Sequence, residues 1–226
     1  MHIGLIGGIG PVATSFYYEQ IAKAYAAAEQ QLDLTIAHTS ALTLSRNVAA
    51  GRALEQAAEY QRVAKQLSAA GAEVIAITSM GGHFCAQEFA PISPRPLIDG
   101  PSAVGAHLRE LGLRRVGVLG TRIVMQTGLY GALATLEVVV PPGDELAQAN
   151  DDYIDMAVAG AATVEQRERL LLAGRKLVRD HGAECVLLGG TDLNLVYGNA
   201  CLDFPVIDSA AIHAAAIVQA TLNGSA

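Results

Sequence analysis

The chain is predicted to be an α/β protein of two pseudosymmetric, Rossmann-like parallel-sheet halves with a site in the cleft between them. Three observations predict it. Val74–Ile77 is an apolar, β-branched run of the length of a fully buried parallel strand, and it ends abruptly in Thr78-Ser79-Met80-Gly81-Gly82-His83. Cys185–Leu188 repeats this grammar and ends in Gly189-Gly190-Thr191-Asp192; both runs are introduced by Gly-Ala-Glu, from Gly71 and from Gly182. Strand starts Ile3 and Val116 differ by 113 residues, Gly71 and Gly182 by 111, and Pro96 and Pro205 by 109. Three markers in one order at nearly one offset indicate a duplicated α/β unit.

The elements follow in order. His2–Ile6 reads as a strand broken by Gly7-Gly8-Ile9-Gly10-Pro11. A helix runs from Val12 to about Glu29, with Pro11 suited to its first turn. Leu32–His38 is the next strand, closing at Thr39-Ser40. Arg52–Ala70 is a long amphipathic helix feeding the strand Val74–Ile77. His83–Phe89 reads as a short helix, Pro96–Asp99 as an edge strand and Ser102–Leu111 as a helix. The pattern then restarts: Arg115-Val116-Gly117-Val118-Leu119-Gly120-Thr121 echoes the opening. Helix Met125–Leu136, strand Glu137–Val140 and helix Glu165–His181 lead to the second Gly-Ala-Glu strand. Pro205–Asp208 echoes Pro96–Asp99, and helix Ala210–Leu222 returns to the first half. The expected halves are 1–99 with 205–226, and 100–204.

Composition sets the bounds. The chain has 226 residues, 51% hydrophobic and 16% charged, enough for a large core. A net charge of −7 leaves no basic footprint, so nucleic acid is not an expected partner. No apolar run reaches the ~18 residues of a membrane span, and Met1-His2-Ile3-Gly4 does not read as a signal peptide. A cytoplasmic location with reduced thiols is the expectation. The three cysteines, Cys85, Cys185 and Cys201, lack metal spacing, so no metal is expected. A homodimer is left open.

Several residues can carry chemistry. Gly8-x-Gly10-x-x-Ala13 after a strand is a partial dinucleotide fingerprint, but the next strand ends in His38-Thr39-Ser40 instead of the required acid, and Pro11 removes an N–H. A tight turn with close helix packing is the better reading, and no nucleotide cofactor is expected. His83 after two glycines reads as a base or as a helix-start residue. Cys85 in the first turn of a helix reads as a low-pKa thiol or as core. Thr191-Asp192 reads as an N-cap, or as a place where exposed N–H groups bind a carboxylate. Gly8, Gly81 and Gly82, with Gly7, Gly189 and Gly190, would let backbone approach a ligand closely. Ser40, Thr121 and Thr191 put hydroxyls at strand ends.

Ile3-Gly4-Leu5-Ile6-Gly7-Gly8-Ile9-Gly10-Pro11, with Ala13-Thr14 and Tyr17-Tyr18, resembles the opening of the aspartate racemase branch of the aspartate/glutamate racemase superfamily. Val116–Thr121, the Gly182-Ala183-Glu184 strand, and Pro205-Val206-Ile207-Asp208-Ser209 with Ile212-His213-Ala214 resemble it too, in the same order, over nearly the whole chain. The resemblance implies a cofactor-free, two-base racemase in which each half offers one cysteine from the end of its central strand. One thiolate removes the α-proton and the opposite thiol returns a proton to the other face.

Both cysteines are replaced here. The first lies in a Cys-Asn-Thr-x-His motif, and counting back from His83 its position is Ser79, beside Thr78. The second lies in a Gly-Cys-Thr-Glu motif, here Gly189-Gly190-Thr191-Asp192. The internal repeat pairs the same two positions. A hydroxyl is far less acidic than a thiol, whose reference pKa is near 8.5, and Gly190 marks the position of a missing base. Thr78, Ser79 and His83 are then the candidates for proton transfer. Gly8, Ser40, Gly81, Gly82, Thr121, Thr191 and Asp192 would hold the ligand, with Arg46 a candidate for a distal carboxylate. The expected ligand is a small carboxylate or amino acid. The expected activity is altered or one-sided proton transfer; a lyase or decarboxylase, and a non-catalytic carboxylate-binding protein, are the rivals.

Overall fold

The computed structural model describes residues 1–198 and 200–222. The chain divides into two compact units, Met1–Gly100 with Ala211–Ala226, and Pro101–Ala210. The sequence boundary at 205 therefore moves to 211. The reason is pairing: Val206–Asp208 is a strand of the second unit's sheet. Residues 223–226 of the expected first half lie outside the described residues.

The first unit is built on a parallel sheet of β1 (Ile3–Gly7), β2 (Leu34–His38) and β3 (Val74–Ile77), in the order β2-β1-β3. β1 and β3 are buried throughout, which explains their unbroken apolar runs, whereas β2 is a half-exposed edge. Beyond β3 the expected strand at Pro96–Asp99 reduces to a single bridge, Ile75 to Leu97. Between the strands run α1 (Pro11–Ala27), α2 (Ala41–Ala49) and α3 (Ala53–Ala69). A 3₁₀ turn, Gly81–Cys85, then leads into α4 (Ala86–Phe89). Val63, Leu67, Ile75, Ile77, Tyr60 and Phe89 form the core between α3 and the sheet.

The second unit carries α5 (from Gly100, to Glu110), β4 (Arg115–Leu119), α6 (Arg122–Thr127), β5 (Glu137–Val139), α7 (Asp144–Ala159), α8 (Val164–Arg179), β6 (Cys185–Leu188), a 3₁₀ turn at Thr191–Leu193, α9 (Asn194–Tyr197) and β7 (Val206–Asp208). Its sheet is parallel in the order β5-β4-β6-β7. α10 (Ser209–Leu222) follows, and from Ala211 onward it belongs to the first unit. There His213 bonds Tyr17, and Tyr25 donates its hydroxyl to Thr221. α2 and α7 are helices that periodicity reading missed. The helix expected over Met125–Leu136 stops at Thr127, where Gly128 closes it in the left-handed conformation.

Within each unit the first strand lies central, flanked by the second and third, with Leu97 or β7 outermost. The repetition extends to single bonds. Ile75 N–H donates to Pro96 C=O at 2.9 Å, and Val186 N–H donates to Pro205 C=O at 2.9 Å. The Gly-Ala-Glu motif has a mechanical explanation. Gly71 and Gly182 turn the chain at φ +104° and +70°, values that suit glycine. The glutamates then reach back. Glu73 Oε2 accepts His2 N–H at 2.7 Å, and Glu184 Oε2 accepts Arg114 and Arg115 N–H at 2.6 and 2.9 Å. Each carboxylate clasps the start of its unit's central strand. Gly4 and Gly117 are also equivalent. A Cβ on Gly4 would lie 3.2 Å from Leu67 Cβ, and one on Gly117 would lie 3.0 Å from Leu177 Cβ, so both glycines let a helix press on the sheet.

Among the described residues no helix is long and apolar enough to cross a membrane, and no cluster of His, Cys, Asp and Glu has the makings of a metal site.

Candidate functional site

In open parallel α/β sheets, ligands bind beyond the carboxyl ends of the strands, and each unit has such an end. The hydrogen bonds fix the equivalence. Thr78 N–H donates to Ile6 C=O at 3.1 Å, as Gly189 N–H donates to Leu119 C=O at 2.6 Å. Gly82 N–H donates to Ser79 C=O at 3.2 Å, as Leu193 N–H donates to Gly190 C=O at 3.1 Å. Ser79 and Gly190 thus occupy the same place in their own units.

In the first unit the candidates are largely engaged. Thr78 is fully buried; its Oγ1 lies 3.1 Å from Ile6 C=O and 3.1 Å from Thr14 Oγ1. Thr14 Oγ1 in turn accepts Gly8 N–H at 3.0 Å and bonds Gly10 C=O at 3.1 Å. The loop N–H that a pyrophosphate would take is therefore held by a threonine, which removes the dinucleotide reading. His83 is buried. Its Nε2 accepts Gly100 N–H at 3.2 Å, which puts the ring proton on Nδ1, 2.7 Å from Ser79 C=O. Burial lowers its pKa, opposed by Asp99 and by the backbone bonds. Of the two sequence readings of His83, base or helix-start residue, the fold favours the second: it is a neutral brace that holds the backbone of Ser79. Ser79 itself is half-buried, its Oγ accepting Gly82 N–H at 3.2 Å. Ser79 is the side chain of this strand end still partly open to solvent. Cys85 is buried against Gly82 C=O, and burial pushes its thiol up to about 12, so it is core.

The glycines were expected to admit a ligand, and most of them are filled from within. A Cβ on Gly8 would collide with the His38 ring and Thr39 C=O; one on Gly82 would lie 2.7 Å from Tyr60 Oη. Gly81 opens the 3₁₀ turn. Ser40 is exposed and caps α2 by accepting Thr43 N–H at 3.3 Å. Arg46 is exposed in the last turn of α2, with no ion pair among the described residues.

Beyond β2 of the first unit Thr39 Oγ1 is buried without a partner among the described residues, and the second unit has three such oxygens at its strand ends. Thr191 and Asp192 are 3% and 4% exposed, yet Thr191 Oγ1 and Asp192 Oδ1 have no hydrogen-bond partner among the described residues. Thr121 Oγ1, beyond the end of the neighbouring β4, is buried and unpaired too. Buried polar groups are ordinarily satisfied, and these three oxygens lie beyond adjacent strand ends. Burial raises the pKa of Asp192. Its other oxygen, Oδ2, accepts the hydroxyl of Tyr153, a residue of α7 that the sequence reading did not single out, at 3.2 Å. A Cβ on Gly190 would lie 2.5 Å from Cε2, Cζ and Oη of Tyr153. A phenol therefore fills the space beside the missing side chain.

Two depressions of this unit lie elsewhere. One of about 180 Å³ between α7 and α8 is lined by the ion pairs Asp152–Arg169 and Glu145–Lys176. The other, about 710 Å³ over residues 125–146, has no titratable side chain in its lining. Neither gathers the groups that proton transfer needs.

A family model for Asp/Glu/Hydantoin racemase matches residues 6–217. The chain belongs to that family. Among solved structures it is similar to a candidate Asp/Glu racemase from Yersinia pestis, at 25% identity over 98% of this chain and 100% of that one, with a TM-score of 0.84. An aspartate racemase homologue from Pyrococcus horikoshii OT3 is 27% identical over 96% and 97% of the two chains, with a TM-score of 0.75. The Picrophilus torridus aspartate racemase shares the fold, with 21% identity over 97% and 94% and a TM-score of 0.77. In family and fold the chain is racemase-like and of the isomerase class. Ser79 and Gly190 are the two positions at which the sequence resemblance led thiols to be expected.

Proposed function

We propose that this protein acts on a small carboxylate or amino acid without a cofactor, by one-sided proton transfer in place of two-base racemisation. The observation that carries the reading is the set of buried, unpaired oxygens of Thr121, Thr191 and Asp192. Hydroxyl donors there suit a carboxylate guest, and a thiol is lacking at both family positions. The first strand end supports one-sidedness: the Thr78 hydroxyl is tied into the Thr14 network, His83 is braced at both ring nitrogens, and Ser79 offers a weakly acidic hydroxyl. A lyase or decarboxylase fits the same scaffold, since its carbanion needs a single proton.

Thermal shift against both enantiomers of aspartate and glutamate, and against succinate and malonate, tests the binding. A ligand at 100 times its Kd adds ~2.7 kcal/mol of stability. Thr191→Val and Thr121→Val are each expected to abolish the shift with little change in the unliganded melting temperature. If no carboxylate stabilises the fold, or if both variants keep the shift, the reading is wrong. The rival, a binding protein without chemistry, is favoured by the engagement of Thr78 and His83. It predicts a thermal shift with no α-proton exchange in D2O.

A further inference from the structure

We propose that Tyr153 is the proton donor of this protein, replacing the family's second cysteine from a different element, with Asp192 as the proton store behind it. The inference rests on the carboxylate reading above. Its basis is geometric. The Tyr153 phenol lies where a side chain at position 190 would project, 2.5 Å from the ideal Cβ, and so takes the position from which a thiol of the second unit would act. Gly190 is required by this arrangement, because any Cβ collides with the ring. The phenol is not idle packing: it bonds Asp192 Oδ2 at 3.2 Å, and the other oxygen of that carboxyl is buried without a partner.

The chemistry balances within the pair. Loss of CO2 from a malonate-type guest breaks its C–C bond and leaves the electron pair on the α-carbon as an enolate, which takes the phenolic proton; the new C–H bond forms as the Tyr153 O–H bond breaks. The phenolate oxygen then recovers a proton from the Asp192 carboxyl across their hydrogen bond. The net change is one proton moved from Asp192 to carbon, and solvent recharges the carboxylate. Burial favours the neutral form of both groups: it raises the pKa of Tyr153 and that of Asp192. The phenol therefore keeps its proton for delivery and serves poorly as a base. The arrangement delivers protons from one side. The charged or titratable neighbours of the phenol are Asp192, from the turn after β6, and Tyr130, from the turn after α6; both raise the Tyr153 pKa.

The experiment uses, in D2O, the full chain with malonate and its C2-substituted derivatives, whose decarboxylation needs a proton donor and no base. Binding is read by ligand-observed NMR and deuterium entry at the α-carbon by proton NMR. Tyr153→Phe keeps the ring and so the packing against Gly190. It is expected to leave binding within about threefold and to lower deuterium entry 10²-fold or more, the scale of a positioned general acid. Asp192→Asn is expected to retain part of the deuterium entry but to lose the fall in rate with rising pH that deprotonation of the pair imposes. A merely structural Asp192 would not move the pH profile. Deuterium entry in Tyr153→Phe within threefold of wild type overturns the proposal, as does a malonate that binds wild type and is never decarboxylated. Failure of every carboxylate to bind instead overturns the reading on which the proposal rests.

Discussion

The ends of β3 and β6 are the same place in two copies of one unit, and they have diverged in opposite directions. At β3 the hydroxyls are tied up: Thr78 is bonded to Thr14 and to Ile6 C=O, and His83 spans Ser79 and Gly100. At β6 position 190 has no side chain, the Tyr153 ring from α7 fills that space, and Thr191 Oγ1 and Asp192 Oδ1 are buried without a partner among the described residues. Meanwhile the glutamate clasp, the turn glycines and the Pro C=O acceptor are the same in both. The lesson is that the parts under backbone constraint have stayed alike, while strand ends, which the sheet does not need, were free to change.

The largest effect expected from testing this contrast is at Tyr153. Tyr153→Ala opens a cavity and leaves Asp192 without its partner, so a loss of about 3–5 kcal/mol is expected in urea unfolding. Gly190→Cys forces a Cβ into the same ring and is expected to cost about 1–3 kcal/mol, less in the Tyr153→Ala background, where the ring is absent. Ser79→Cys, at the equivalent but half-open position, is expected to cost under about 1.5 kcal/mol. Equal costs at 79 and 190 would erase the contrast between the two ends.

Where the units agree, the substitutions should agree in sign. A Cβ at Gly4 would lie 2.9 Å from Ala72 Cβ and 2.9 Å from Ile75 Cδ1, and at Gly117 3.4 Å from Ala183 Cβ. Gly4→Ala is expected to cost about 1–3 kcal/mol and Gly117→Ala less, both read from denaturation midpoints.

The first unit should also carry an acid sensitivity that this part of the second lacks. His213 is buried, with Nδ1 2.9 Å from Tyr17 Oη and Nε2 2.9 Å from Ile98 C=O, and burial followed by the neighbouring His83 pushes it down to about 3. The unfolded chain takes a proton at His213 below roughly 6.5 and the folded chain does not. Stability is therefore full above that pH and falls as pH drops from about 6.5 toward 3, by up to about 1.4 kcal/mol per unit. His213→Gln should flatten that slope in urea titrations between pH 6 and 4; an unchanged slope would place the titration elsewhere.

The smallest effects belong to the clasps. Both glutamates are exposed acceptors, but Glu184 takes two N–H groups and Glu73 one. Glu184→Ala should lower the melting temperature slightly, and more than Glu73→Ala does. The reverse order would mean that the bond count is not what matters.

Much of this was legible in the sequence, and the reasons differ by part. Buried parallel strands declare themselves as apolar runs, so β3 and β6 and the offset between them were readable, as were the positions Ser79 and Gly190. Thr121, Thr191 and Asp192 were placed after strands by the sequence pattern, and the structure has them there. α2 and α7 were missed although signals exist: Ser40 caps the first, and Asp144-Glu145 with Leu146, Ala149, Tyr153 and Met156 mark the second. What no local pattern could supply was Tyr153 against Gly190. That contact joins residues 37 apart through the packing of α7 beside the sheet, and the glycine is informative only once its neighbour is known. Likewise His83 looked like a base because its two backbone partners, Ser79 C=O and Gly100 N–H, are visible only in the fold.

α10 gives the first unit a history in time. Tyr17 and Tyr25 on α1 find His213 and Thr221 across 196 residues of chain, with the whole second unit between. On a ribosome adding roughly 5–20 residues per second, those partners emerge on the order of 10 s after Gly100. The second unit is continuous, so it can close while the first still presents the tyrosines of α1 to the cell.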